Sequence, residues 1–233
     1  MHRGERLRMA LVRDRAAWLE QLCAREPGIE VAHLGCADSP YTRELLEAGL
    51  LLHHRLVRVA RVTGFDVDEP GLELLRQALP AERFVAADVT REIPEQERFR
   101  YGLVIAGEVL EHVPDADAFL RGCALLLAPG GRLCVTVPNA CSPKIGVRAL
   151  IGRESVHPDH RTYYGPRTLA RTLEGAGLSA ESLVSCFAPV AGRGGRLLVN
   201  PLLRASHALF QGPVGDGLIA VASAASKADT IAS

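Results

Sequence analysis

Residues 108–113 read Glu-Val-Leu-Glu-His-Val and set two carboxyl groups and an imidazole within five positions. In a helical turn Glu108, Glu111 and His112 stand at i, i+3 and i+4 on one face, with Cβ atoms ~5–6 Å apart. A mixed oxygen and nitrogen set of this kind suits a divalent ion, with Mg²⁺, Mn²⁺ and Fe²⁺ as the candidates. A later stretch, Val-His-Pro-Asp-His at 156–160, offers His160 as a fourth ligand and His157 as the next choice. A metal-free reading stands beside this one, in which Glu111 caps a helix and His112 is a general base.

A second group of residues is suited to holding a nucleoside. Gly35 ends the apolar run Glu30–Gly35, where a missing Cβ lets backbone approach a ligand. The dinucleotide pattern G-x-G-x-x-G is not met, because Ala37 and Pro40 stand where its later glycines would be. Asp66 ends the next apolar run, and a carboxylate there presents two acceptor oxygens to a ribose diol. Asp88, in Ala-Ala-Asp-Val-Thr, can accept from the exocyclic amine of a base. The plainer alternative makes His33 a satisfied core histidine and Asp66 a helix cap.

These residues need a scaffold, and the sequence alternates short apolar runs with amphipathic stretches. Strand-like segments near 30–35, 62–67, 83–89, 101–108, 131–139, 181–187 and 217–224 are separated by helical ones. That alternation predicts a doubly wound α/β domain, a mainly parallel sheet with helices on both faces, spanning residues 1–233 as one unit. Residues 1–29 read as an N-terminal helical cap, with Leu7, Leu11, Trp18 and Leu22 at near-helical spacing. Residues 141–165 and 188–213 break the alternation and read as acceptor-side loops or insertions, since loops of that length commonly carry function.

Composition narrows the function classes. Lys plus Arg and Asp plus Glu both number 27, so no basic field points to nucleic acid. No run approaches the ~18 apolar residues of a membrane span, and the arginine-rich start lacks a signal-peptide core, so a cytoplasmic protein is expected. The six cysteines form no C-x-x-C pair and read as reduced, small apolar residues. An oligomer is compatible with all of this.

The segments VAHLGCADS, GFDVDEPGLELLR, AADVT, GLVIAGEVLEHVPDADAFLRGCALLLAPGGRLCVTVPN and HPDHRTYYGPRTLARTLEGAGL occur in an order that resembles class I S-adenosylmethionine-dependent methyltransferases. The resemblance implies a seven-stranded Rossmann-like sheet with an antiparallel last strand. It implies S-adenosylmethionine contacts from His33, Gly35, Cys36, Ala37, Asp66, Val67, Asp88, Val89 and Ala106. Family members usually carry an acid where His33 stands and glycines at Ala37 and Ser39. The E-x-x-E-H cluster is similar to that of metal-dependent O-methyltransferases, which implies Glu108, Glu111, His112 and His160 as ligands, with Glu111 and His112 catalytic. No N-P-P-Y or Pro-Cys pair follows the fourth of these strands. An O-methyltransferase acting on a hydroxyl of a small-molecule or glycan-like acceptor is therefore expected. A non-catalytic S-adenosylmethionine-binding module and a nicotinamide-dependent oxidoreductase are the competing readings.

Overall fold

The computed structural model describes residues 8–153, 157–187, 205, 207–209 and 211–224. Its strands are β1 (Leu11–Val12), β2 (Glu30–Leu34), β3 (Arg61–Asp66), β4 (Arg83–Ala86), β5 (Tyr101–Gly107), β6 (Leu127–Pro138), β7 (Leu178–Cys186) and β8 (Gly217–Ala224). Its helices are α1 (Arg15–Ala24), α2 (Thr42–Glu47), α3 (Leu52–Leu56), α4 (Glu69–Ala78), α5 (Ala116–Leu126), α6 (Pro143–Leu150) and α7 (Pro166–Gly175). The strands form one sheet in the order β1-β7-β8-β6-β5-β2-β3-β4. All neighbours pair in parallel except β8, which lies antiparallel between β6 and β7.

β5 shows why the sheet is covered on both faces. Its apolar run alternates: Val104 and Ala106 join a cluster with Leu34, Phe119 and Leu120, whereas Leu103 and Ile105 join Leu19, Leu56 and Cys134. α5 and α7 therefore cover one face, and α1 and α3 the other. Aspartates start three of these helices. Asp14, Asp68 and Asp115 accept from the N–H groups of Ala17, Gly71 and Ala118 at 2.9–3.0 Å, each cap contributing ~1 kcal/mol. Gly122 of α5 is a close-approach position, because a Cβ there would lie 2.0 Å from the Val89 carbonyl oxygen.

The expected seven strands become eight, and the N-terminal cap is not helical throughout. Leu11 and Val12 pair with Ser185 and Cys186 at the edge of β7. The Ser185 and Phe187 N–H groups donate to the Ala10 and Val12 carbonyls at 2.9 and 3.0 Å. Helix starts only after the Asp14 cap, so Leu11 belongs to a sheet edge while Trp18 and Leu22 ride on α1. Leu7 lies outside the described residues.

Residues 141–165 are not simply a loop, since they contain α6. Pro143 sits in its first turn, where a missing N–H costs nothing. No residue of α6 is buried, and Lys144 Nζ holds it to Asp216 at 2.7 Å. The segment 188–213 lies largely outside the described residues. Among the described residues no helix is long and apolar enough to cross a membrane. All six cysteines are free thiols.

Candidate active site

The carboxyl ends of β2, β3, β4 and β5 meet at one rim, where open α/β sheets bind ligands. Gly35 follows β2 with φ +72°, and a Cβ there would stand 2.4 Å from Val109 Cγ2. The N–H groups of Gly35 and Cys36 both donate to the Phe65 carbonyl, at 2.9 and 3.2 Å. Asp66 then secures the turn: Oδ2 accepts from Ala37 N–H at 2.9 Å, and Oδ1 accepts from Val67 and Asp68 N–H at 2.8 and 3.0 Å. This acid shapes the bend as well as facing the crevice, a task its position in the sequence did not reveal.

The crevice has a volume of about 370 Å³ and is lined by Leu34, Gly35, Phe65, Asp66, Val67, Asp88, Val89, Val109, His112 and Phe119 among others. That volume falls in the ~300–1,000 Å³ range of small-molecule sites. Val67 is 72% exposed, an apolar face available to a flat ring. Asp88 Oδ1 accepts from the Thr90 N–H and hydroxyl at 3.0 and 2.6 Å, while Arg91 Nε lies 3.2 Å from Oδ2. Gly35, Asp66, Val67, Asp88 and Val89 thus come together as expected.

Four other residues expected to touch the cofactor do not line the crevice. Side chains alternate along β2, so Leu34 faces the crevice and His33 faces α3. There its Nδ1 lies 3.2 Å from His53 Nδ1, with the rings stacked at 5.4 Å. Burial, then His53, pushes the His33 pKa well down, and burial followed by His54 takes His53 down to about 4. His33 is a core histidine. Cys36 and Ala37 are buried against Leu51, Leu72 and Leu75, so only their backbone borders the turn. Ala106 is fully buried within the sheet's core.

Glu108 to His112 form turns rather than a helix, and this divides the expected ligand set. Glu108 adopts φ +56°, a costly conformation for a residue of its size. It is held there by its own N–H donating to the Thr136 carbonyl at 2.9 Å and by the Thr136 hydroxyl donating to Oε1 at 3.0 Å. Arg15, at the start of α1, forms an ion pair with the same Oε1. Burial pulls the Arg15 pKa down, but Glu108, with Cys186 and Glu111 adding to it, makes the net shift upward. Sequence reading missed Arg15, which has no local signal connecting it to a residue 93 positions away.

Glu111 is 1% exposed, and neither of its carboxyl oxygens has a hydrogen-bond partner. Burial, reinforced by the Glu108 charge, pushes its pKa up to about 8. One donor atom each from Glu111, His112 and His160 lies within 4.8 Å of the others. The loop carrying His160 is fastened to this turn, since Arg161 and Thr162 N–H both donate to the Glu111 carbonyl at 2.8 and 3.3 Å. Burial and the neighbouring His112 and His157 lower the His160 pKa. Three of the four expected ligands therefore converge, and Glu108 is diverted to Arg15.

A nucleoside-sized crevice beside a buried acid and two imidazoles, at the switch point of this sheet, leads to a family. The chain belongs to the methyltransferase-domain family, whose model matches residues 4–183. It is similar to the ubiquinone biosynthesis O-methyltransferase of Dechloromonas aromatica (strain RCB), at 31% identity over 73% of this chain and 72% of that protein. The corresponding protein of Bordetella avium (strain 197N) is 27% identical over 72% of this chain and 70% of its own. Among solved structures, the N-methyltransferase NodS of Bradyrhizobium japonicum WM9 in complex with S-adenosyl-L-homocysteine superposes with a TM-score of 0.54. It is 18% identical, covering 90% of this chain and 85% of that one. Fold and family together define an S-adenosylmethionine-dependent methyltransferase with the Rossmann-like class I fold.

Proposed function

We propose that this enzyme methylates a hydroxyl group of a small-molecule or glycan-like acceptor, with a divalent ion assisting. The observation that carries this reading is Glu111: a buried carboxyl with two unpartnered oxygens, grouped with His112 and His160 beside the cofactor crevice. Orphaned buried polar atoms are costly, and a ligand that satisfies them resolves the cost. Glu111, His112 and His160 would hold the ion, which when bound lowers the pKa of a coordinated hydroxyl. S-adenosylmethionine supplies the electrophilic methyl group.

The chain's own residues do the positioning. Asp66 faces the ribose diol and Asp88 the base, while Val67 and Val89 offer apolar contact to the ring. Arg15 pairs with Glu108 and its charge acts on Asp38, so it sets a positive charge near the turn after Gly35, on the side where the carboxylate of an amino-acid moiety would lie. Glu111 keeps a second carboxyl oxygen when the first holds the ion, and that oxygen is placed to take the acceptor's proton; in the absence of the ion His112 is the alternative base. The relatives' name refers to ubiquinone biosynthesis, which directs a first acceptor screen to hydroxylated quinone precursors, with sugars and nucleosides as the other arm.

The test pairs binding with turnover. Glu111→Gln and His112→Ala should retain S-adenosylhomocysteine binding by calorimetry and lose at least 100-fold in methyl transfer, with a chelator mimicking them. Full turnover in chelator, or from both variants, would remove these residues and the ion from the reaction.

A further inference from the structure

Strand order sets the direction in which S-adenosylmethionine lies across the rim. Half of the sheet runs β5-β2-β3-β4. With the base at Asp88, after β4, and the ribose at Asp66, at the end of β3, the sulfonium and the amino-acid end cross the turn after β2 toward β5. That end is a zwitterion at neutral pH, and each of its charges needs a counterpart when it leaves water.

Arg15 supplies the positive charge on that side, and the negative one has few sources. His33 cannot serve, because it is turned to His53 and burial keeps it neutral. Most acids of the rim are already engaged. Asp66 accepts from three backbone N–H groups. Asp68 accepts from the Ser39 hydroxyl at 2.6 Å and the Gly71 N–H at 3.0 Å. Glu108 holds Arg15 and Thr136, and Glu111 is grouped with His112 and His160.

Asp38 is left. It stands three positions past Gly35, its carbonyl accepts from the Tyr41 N–H at 3.0 Å, and it is exposed at the rim. The charges acting on its carboxyl are Arg15, Glu108 and Asp66, which bracket the path of the amino-acid end. Partial burial pushes its pKa up, Arg15 pulls it down, and Glu108 and Asp66 push it up again, for a net upward shift. A carboxylate crowded by two others is relieved by an arriving cation. Asp38 also holds a φ of +55°, which glycine adopts without strain, so the chain keeps an acid where glycine would be more relaxed.

We infer that Asp38 binds the ammonium of the amino-acid end of S-adenosylmethionine, offering the negative charge that His33 does not. The inference rests on the cofactor placement proposed above but is separable from it.

Calorimetric titration of the full chain with three probes tests it without turnover. S-adenosylhomocysteine keeps the whole amino-acid end, its deaminated analogue lacks only the ammonium, and methylthioadenosine lacks that end altogether. The wild type should bind S-adenosylhomocysteine roughly tenfold more tightly than the deaminated analogue, the value of one charge-assisted hydrogen bond. Asp38→Asn, which tolerates the same φ, should lose about that factor for S-adenosylhomocysteine and keep its affinity for the deaminated analogue. Asp38→Gly should show the same selective loss with a Tm at or above that of the wild type, because the strain is gone. Wild-type affinity for S-adenosylhomocysteine in both variants would overturn the inference. Equal weakening of S-adenosylhomocysteine and the deaminated analogue would overturn it too, since Asp38 would then only shape the turn. Methylthioadenosine binding the wild type as tightly as S-adenosylhomocysteine would instead remove the placement beneath it.

Discussion

Replacing Gly35 by alanine isolates the geometry of the cofactor turn. Two separate costs arise. An L-residue held at the φ of +72° found there loses ~1–2 kcal/mol. The added methyl would start 2.4 Å from Val109 Cγ2, and forcing a side chain off its rotamer or shifting the turn costs ~1–3 kcal/mol. The total, about 3 kcal/mol, corresponds to a fall in Tm of roughly 10 °C for a domain of this size. Scanning calorimetry of Gly35→Ala, Val109→Ala and the double variant separates the two parts. Removing the Val109 methyls should return the steric share, so the double variant should be more stable than the sum of the singles by at least ~1 kcal/mol. S-adenosylhomocysteine affinity should recover partly alongside. Additivity within ~0.5 kcal/mol would show that the two groups do not meet, and the described close approach would be refuted.

Other expectations follow from the same geometry. Asp66→Ala removes the acceptor of three backbone N–H groups as well as the ribose contact, so S-adenosylhomocysteine binding should weaken at least tenfold and the urea midpoint should fall; unchanged affinity would reassign the ribose. A double-mutant cycle on Arg15→Met and Glu108→Gln should give a coupling of ~1–2 kcal/mol, between the values of exposed and buried pairs, because the side chains are 19% and 32% exposed; a coupling near zero in denaturant melts would dissolve the pair. His53 is held neutral, so its unfolded-state pKa of about 6.5 exceeds its folded value of about 4. The unfolded chain then binds the extra proton, and stability should fall as pH drops through that window, by on the order of 3 kcal/mol. His53→Gln should flatten this part of the pH–stability curve, and an unaltered slope would place the loss elsewhere.

Much of this enzyme could be read in its residues, for identifiable reasons. β5 is an apolar run that opens at Tyr101 and closes at Gly107, and α5 carries its own Asp115 cap, although it ends at Leu126 and the Pro-Gly-Gly that follows lies within β6. Each is a local signal. Gly35, Asp66 and Asp88 stand at strand ends, which periodicity locates well. What escaped was long-range or angular. Leu11 and Val12 matched a helical spacing, but their partners are some 174 residues away on β7. The alternation that turns His33 away from the crevice follows from the pleat, yet its His53 partner lies on a short helix with no pattern linking the two. Glu108, at a φ of +56°, pairs with Arg15 and stands apart from the Glu111, His112 and His160 group, and no residue type announces a positive φ at a glutamate. α6 could have been found from Ser142-Pro143, a serine followed by proline at a helix start, within a stretch whose length suggested only a loop.

The position of β8 has a consequence for how the molecule is made. This strand, residues 217–224, fills the gap between β6 and β7, and residues 218–222 are almost wholly buried. During synthesis at ~5–20 residues per second, a nascent chain presents two facing, unsatisfied strand edges until that stretch emerges from the ribosome. The halves of the sheet cannot lock earlier, so this domain completes its fold only once β8 has been made. Chaperones that shield exposed edges should therefore hold the unfinished chain longest at its middle, where β6 waits for its neighbour.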